Sequence, residues 1–132
     1  MIIFLYSIAA AVVLIYLPFL VVAYARVRIG KEMLATPRAM LDKLPPYAQR
    51  ATWAHQNTFE AFMVFTAAAL MAYVTGVNSF TGQIAAIAFV VARFLYSIFY
   101  ILNIPPLRSL MFAIGMLGST TLIFLSIIQA TN

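Results

Sequence analysis

Four runs of apolar residues, each about as long as a helix needs to cross a bilayer, leave this chain little freedom of fold class. They lie at roughly 2–25, 52–74, 82–102 and 109–130 and take up most of the 132 residues. About 30 Å of hydrocarbon is spanned by about 20 residues of helix. A membrane β-barrel would instead alternate apolar and polar residues along each strand, and runs such as Ile84 to Val91 do not alternate. The sequence therefore predicts an all-α integral membrane protein, one domain over 1–132 built as a four-helix transmembrane bundle. A composition that is 65% hydrophobic and 8% charged agrees with this reading.

The first run has no basic segment before it and ends in a basic loop rather than at a small-residue cleavage site, so it reads as a retained helix. Pro18 removes a backbone donor inside it and predicts a kink, which a membrane bundle tolerates. Six of the eight basic residues, Arg26, Arg28, Lys31, Arg38, Lys43 and Arg50, fall in or beside the connection at 26–50. Basic loops stay on the cytoplasmic side. This connection and the turn at 103–108 are therefore expected in the cytoplasm, with both termini opposite. The net charge of +5 is thus a topology signal and gives no case for nucleic-acid binding. With no cysteine, disulfides, protein thiolates and cysteine metal sites are excluded, and no metal site is expected.

Turn chemistry separates the helices: Thr75-Gly76 and Asn78-Ser79 follow the second, and Asn103 with Pro105-Pro106 divides the third from the fourth. Pro37, Pro45 and Pro46 restrict the 26–50 loop to short helical pieces. Small residues at Gly115, Gly118 and Ser119, and at Ala67, Ala68, Ala69 and Ala72, permit close helix approach.

Glu60 and Arg93 stand inside membrane-spanning runs, where a charge costs at least about 2.5–3.5 kcal/mol and so faces protein, water or a ligand. Glu60 lies roughly 13 Å from the basic end of its helix and Arg93 roughly 15 Å from the same end of the next, at 1.5 Å per residue. Equal depth lets them pair if their faces meet. Arg50, Trp53, Asn57 and Glu60 follow helical spacing, as do Arg93, Tyr96 and Tyr100. Arg108 and Ser109 open the fourth helix, and Arg26 closes the first. These residues predict a polar wedge at the basic end, richer in cations than anions and suited to a small polyanion, since arginine grips carboxylates bidentately. A purely structural Arg93–Glu60 pair, with Asn57 as interhelical glue, is the competing reading. His55, the one histidine, is read as a packing or hydrogen-bonding residue and Trp53 as an interface anchor.

Three segments resemble the MAPEG family, the membrane-associated proteins in eicosanoid and glutathione metabolism. R-A-T-W-A-H-Q-N-T-F-E at 50–60 is similar to the family's second-helix signature, A-R-F-L-Y-S-I-F-Y at 92–100 to its third helix, and N-I-P-P-L-R-S-L at 103–110 to its proline turn followed by Arg-Ser. The resemblance implies a homotrimer in a bilayer, with a bacterial inner membrane as its place and glutathione as co-substrate between subunits near the cytoplasmic side. It further implies that Asn57, Glu60, Arg93, Tyr100, Arg108 and Ser109 contact glutathione, with Arg26 and Arg50 as weaker matches and Tyr96 where some members have histidine. Arg108 and Ser109 match the positions credited with stabilising the glutathione thiolate. Gln56 stands where several members carry another arginine. Two functions follow as alternatives: a glutathione transferase or peroxidase acting on a lipophilic electrophile or lipid hydroperoxide, and a non-catalytic lipid-binding scaffold or accessory subunit.

Overall fold

Helix α1 spans Ile2–Ile29 in the computed structural model, which describes residues 1–132. It stops at Gly30, whose φ of 128° lies where side chains are strained, while the Gly30 N–H still reaches Arg26 O at 3.2 Å. Pro18 is buried within α1, which continues through it as one helix. The connection that follows holds a short helix, α2 (Lys31–Ala35), and a single 3-10 turn at Leu41–Lys43. Three longer helices complete the chain: α3 (Pro46–Val74), α4 (Phe80–Ile101) and α5 (Pro105–Thr131). By length and composition α1, α3, α4 and α5 are each able to cross a membrane.

Two helix starts differ from the sequence expectation, for one reason. α3 begins at Pro46 rather than near 52, and α5 at Pro105 rather than near 109. Proline is a breaker inside a helix, but at the first helical position its missing N–H costs nothing and its φ is already helical. The non-helical connection is correspondingly shorter than 26–50, and Arg26 and Arg50 belong to helices. Gln49 Nε2 donates to Leu44 O at 2.9 Å and ties the turn to the first turn of α3. Asn78-Ser79 serves the next helix rather than ending α3: Ser79 Oγ accepts from Gly82 N at 3.1 Å and caps α4. Asn103 takes the left-handed conformation, φ 59°, that reverses the chain before α5.

α4 packs most extensively on α5, and α1 on α3. At the non-basic end the core joins Phe4, Phe65, Ala68, Ala69, Ala72, Ala86 and Phe89, with the Phe65 and Phe89 rings stacked 3.8 Å apart. Gly118 lets α5 touch the α4 backbone, since a Cβ there would lie 2.7 Å from Ala85 O. A smaller core at the basic end, including Val22, Met33, Leu44 and Ala51, seats the connection against α1 and α3. Large apolar side chains such as Leu20, Phe80, Leu117 and Phe124 stand exposed around the bundle, as a lipid-facing surface requires.

Candidate functional site

The α4 side chains nearest the basic end do not continue the close packing. Tyr96 and Tyr100, one turn apart, meet Phe112 and the first turns of α5, and a cavity of about 250 Å³ opens among Asn57, Tyr96, Tyr100, Arg108, Ser109 and Phe112. Pro105 and Pro106 start α5 just before Arg108, so Arg108 and Ser109 project from its first turns into this space. The Arg108 guanidinium lies over the Tyr100 ring, 4.4 Å from its centroid. Tyr96 and Tyr100 meet edge to face at 5.5 Å, fixing both rings.

Behind the cavity sits Arg93, only 2% exposed. Its Nη2 donates to Asn57 Oδ1 at 2.9 Å and to Thr58 Oγ1 at 3.0 Å, and its guanidinium lies 4.0 Å from the centre of the Tyr96 ring. A buried cation needs such partners, because desolvation would otherwise outweigh anything it gains. Cation–π contact with a desolvated ring is worth about 2 kcal/mol. Its Nε remains without a partner. No carboxylate of this chain pairs with Arg93, whose partners are the neutral Asn57, Thr58 and Tyr96.

The expected Arg93–Glu60 pairing is not formed. Glu60 is exposed on α3, and its partner is Gln56 Nε2, at a long 3.5 Å. Equal depth fixed the height of the two groups but not their direction around the helix axes. Asn57 and Thr58 occupy the α4-facing side instead, and Thr58, two residues from Glu60, looks away from it. Glu60 therefore lines no part of the cavity.

Arg26 and Arg50 stand apart from the cavity as well. Arg50 Nε donates to Ile101 O at 2.9 Å and caps the end of α4. Arg26 is half-buried at the end of α1 with its Nε unpartnered. His55 Nδ1 donates to Ile15 O at 2.7 Å, joining α3 to α1 near Pro18 with its ring against Phe19. That bond fits the packing role expected of it. Trp53 is exposed on α3.

Of the residues singled out from sequence, Asn57, Tyr96, Tyr100, Arg108 and Ser109 come together around one space, with Arg93 directly behind. Sequence reading missed Thr58 and Phe112. A threonine in an apolar run carries no signal of its own, although its place beside Asn57 and its depth opposite Arg93 would have marked it.

The model of the MAPEG family matches residues 3–128, almost the entire chain. Comparison with curated proteins and with solved structures gave no match. Four membrane-spanning helices and near-complete coverage lead to one assignment: the chain belongs to the MAPEG family, membrane proteins of glutathione-related or eicosanoid metabolism.

Proposed function

We propose that this protein is a membrane glutathione transferase with peroxidase capacity, assembled as a homotrimer that holds glutathione at its subunit interfaces on the cytoplasmic side. The observation that carries this reading is the convergence of Arg108, Ser109, Tyr100 and Asn57 on one cavity backed by an un-neutralised Arg93. Arg108 and Arg93 supply positive potential for carboxylates and thiolate, while Asn57, Tyr96, Tyr100 and Ser109 supply hydrogen bonds. A thiol with pKa near 8.5 is converted to thiolate more readily beside a cation. The sulfur then attacks the electrophilic carbon of a lipophilic substrate and the leaving group departs with the bonding pair. With a hydroperoxide, the thiolate attacks the outer oxygen and an alkoxide leaves as the alcohol. A second glutathione completes a disulfide and releases water.

The trimer is supported by Glu60. One subunit leaves this carboxylate exposed at bilayer depth, with Gln56 beside it on the same face. Lipid contact there is costly, and a neighbouring copy laid against this face of α3 removes it. Glu60, Arg26 and Arg50 would then join the site only with that neighbour in place.

The test uses detergent-purified protein. Native mass spectrometry is expected to show three subunits, calorimetry to show glutathione binding, and ultraviolet absorbance to show the bound thiolate. Arg108→Ala should keep the trimer and measurable binding while turnover with a chlorinated nitrobenzene falls at least about tenfold, roughly 1.4 kcal/mol of transition-state stabilisation. Absence of both thiolate and turnover in the unmodified protein would refute the enzyme and favour the lipid-binding scaffold.

A further inference from the structure

A second recess lies apart from the polar cavity. It encloses about 290 Å³ between α1 and α4 and is walled by Leu14, Leu17 and Val21 on one side and Phe94, Ile98 and Ile101 on the other. Leu14 to Val21 is two turns, as is Phe94 to Ile101, so the groove runs roughly 10 Å along the bundle. That is about two thirds of the hydrocarbon depth of one leaflet, roughly 15 Å. Tyr96 and Tyr100 face the polar cavity while Phe94, Ile98 and Ile101 face the groove, so the body of α4 divides the two. The groove and the polar cavity share no lining residue.

One cation marks the mouth of this slot, whose walls are apolar. Ser97 lies in its wall, but its hydroxyl is buried and adds no polar surface to the slot. Arg28 follows Leu14 and Val21 at seven-residue intervals, which keeps it on the same stripe of α1. It is exposed above the groove, its guanidinium held only loosely by the Tyr24 ring at 5.8 Å. Helical side chains lean toward the N-terminus of their own helix, which brings Arg28 back over the opening.

An aliphatic slot about two thirds of a leaflet deep with a free cation above it matches an acyl chain and a phosphate. The geometry points to a phospholipid site: one chain of an anionic phospholipid from the leaflet at the basic end lies between α1 and α4, with its phosphate paired with Arg28. This site is independent of the glutathione reading.

Native mass spectrometry of the assembled protein tests it, after delipidation and titration with phosphatidylglycerol or phosphatidylcholine. The unmodified protein should retain one phosphatidylglycerol per subunit and prefer it to phosphatidylcholine. Arg28→Gln should cut that preference about fivefold, the scale of one basic side chain at a charged membrane surface. Leu17→Trp fills the slot from a position 38% exposed, where a larger ring can be accommodated, and should abolish retention with the fold intact by circular dichroism. Equal retention by Leu17→Trp and the unmodified protein would overturn the site, as would an unchanged preference in Arg28→Gln. Displacement of the lipid by the chlorinated nitrobenzene would assign the groove to the electrophile and overturn it too.

Discussion

The two ends of the α4–α5 pair follow opposite designs. Toward the non-basic end, Gly118 brings α5 onto the α4 backbone and Phe65 stacks flat on Phe89, leaving no room for a ligand. Toward the basic end the same helices carry Tyr96, Tyr100, Arg108 and Phe112, and the space among those larger side chains is the cavity. Residue size sets the separation, and separation sets the use. Without a hydrophobic force between helices in lipid, close van der Waals packing holds such a bundle. The closed end is thus positioned to anchor helices whose other end stands apart. Arg93 sits at the boundary, its Cδ near Gly115 and its guanidinium among the site residues.

One substitution made at two glycines three residues apart breaks this comparison most sharply. A Cβ at Gly118 meets a backbone oxygen, Ala85 O, at 2.7 Å, and backbone cannot swing aside. A Cβ at Gly115 meets only side chains, those of Arg93 and Phe89, at an ordinary 3.5 Å and 3.7 Å. Gly118→Ala should therefore destabilise by about 2–3 kcal/mol, the upper range of overpacking. Gly115→Ala should be neutral or slightly stabilising, since alanine favours helix over glycine by about 1 kcal/mol. Thermal unfolding in mild detergent measures both. Equal effects would show that the closed end is not the anchor.

The next prediction concerns the boundary. Thr58→Val keeps the shape of a buried side chain and removes one acceptor from Arg93 Nη2. Hydrogen bonds to charged groups contribute about 1.5–3 kcal/mol, and the retained Asn57 bond places the expected loss near 1.5 kcal/mol. In an Arg93→Met background the same change should cost less than half as much, because no cation is left wanting the bond. A full cost in that background would mean that Thr58 serves packing alone.

Much of this arrangement was legible in the residues. Apolar length revealed the four spanning helices, and helical spacing grouped Asn57 with Glu60 and Arg93 with Tyr96 and Tyr100. What depth arithmetic lacks is direction about the helix axis. Glu60 and Asn57 lie on neighbouring stripes of α3, and only the packed structure shows that Asn57, with Thr58, turns toward Arg93 while Glu60 is left outside. The prolines were read as breakers of the connection, although at a first helical position they start helices, and this displaced two boundaries. Arg50 matches a ligand contact by position, and in the single chain it caps α4. Its bond to Ile101 O depends on where α4 ends, which no local pattern encodes.

The smallest expected effect sharpens what the open end does with its aromatic rings. Tyr100 offers two things to the cavity: a face on which the Arg108 guanidinium rests at 4.4 Å, and a hydroxyl able to donate to a ligand. Tyr100→Phe keeps the first and removes the second, whereas Tyr100→Leu removes both. A partly exposed cation–π contact contributes about 0.5–1 kcal/mol, so losing the ring should lower conjugation turnover by about two- to fivefold through a less well-held Arg108. If orientation of Arg108 is the main role, the phenylalanine variant stays within about twofold of the unmodified protein, less than about 0.4 kcal/mol, and the leucine variant falls below it. If the hydroxyl acts on the sulfur, both variants fall together and the phenylalanine variant also loses bound-thiolate absorbance. The two outcomes separate a ring that shapes the open end from a hydroxyl that takes part in its chemistry.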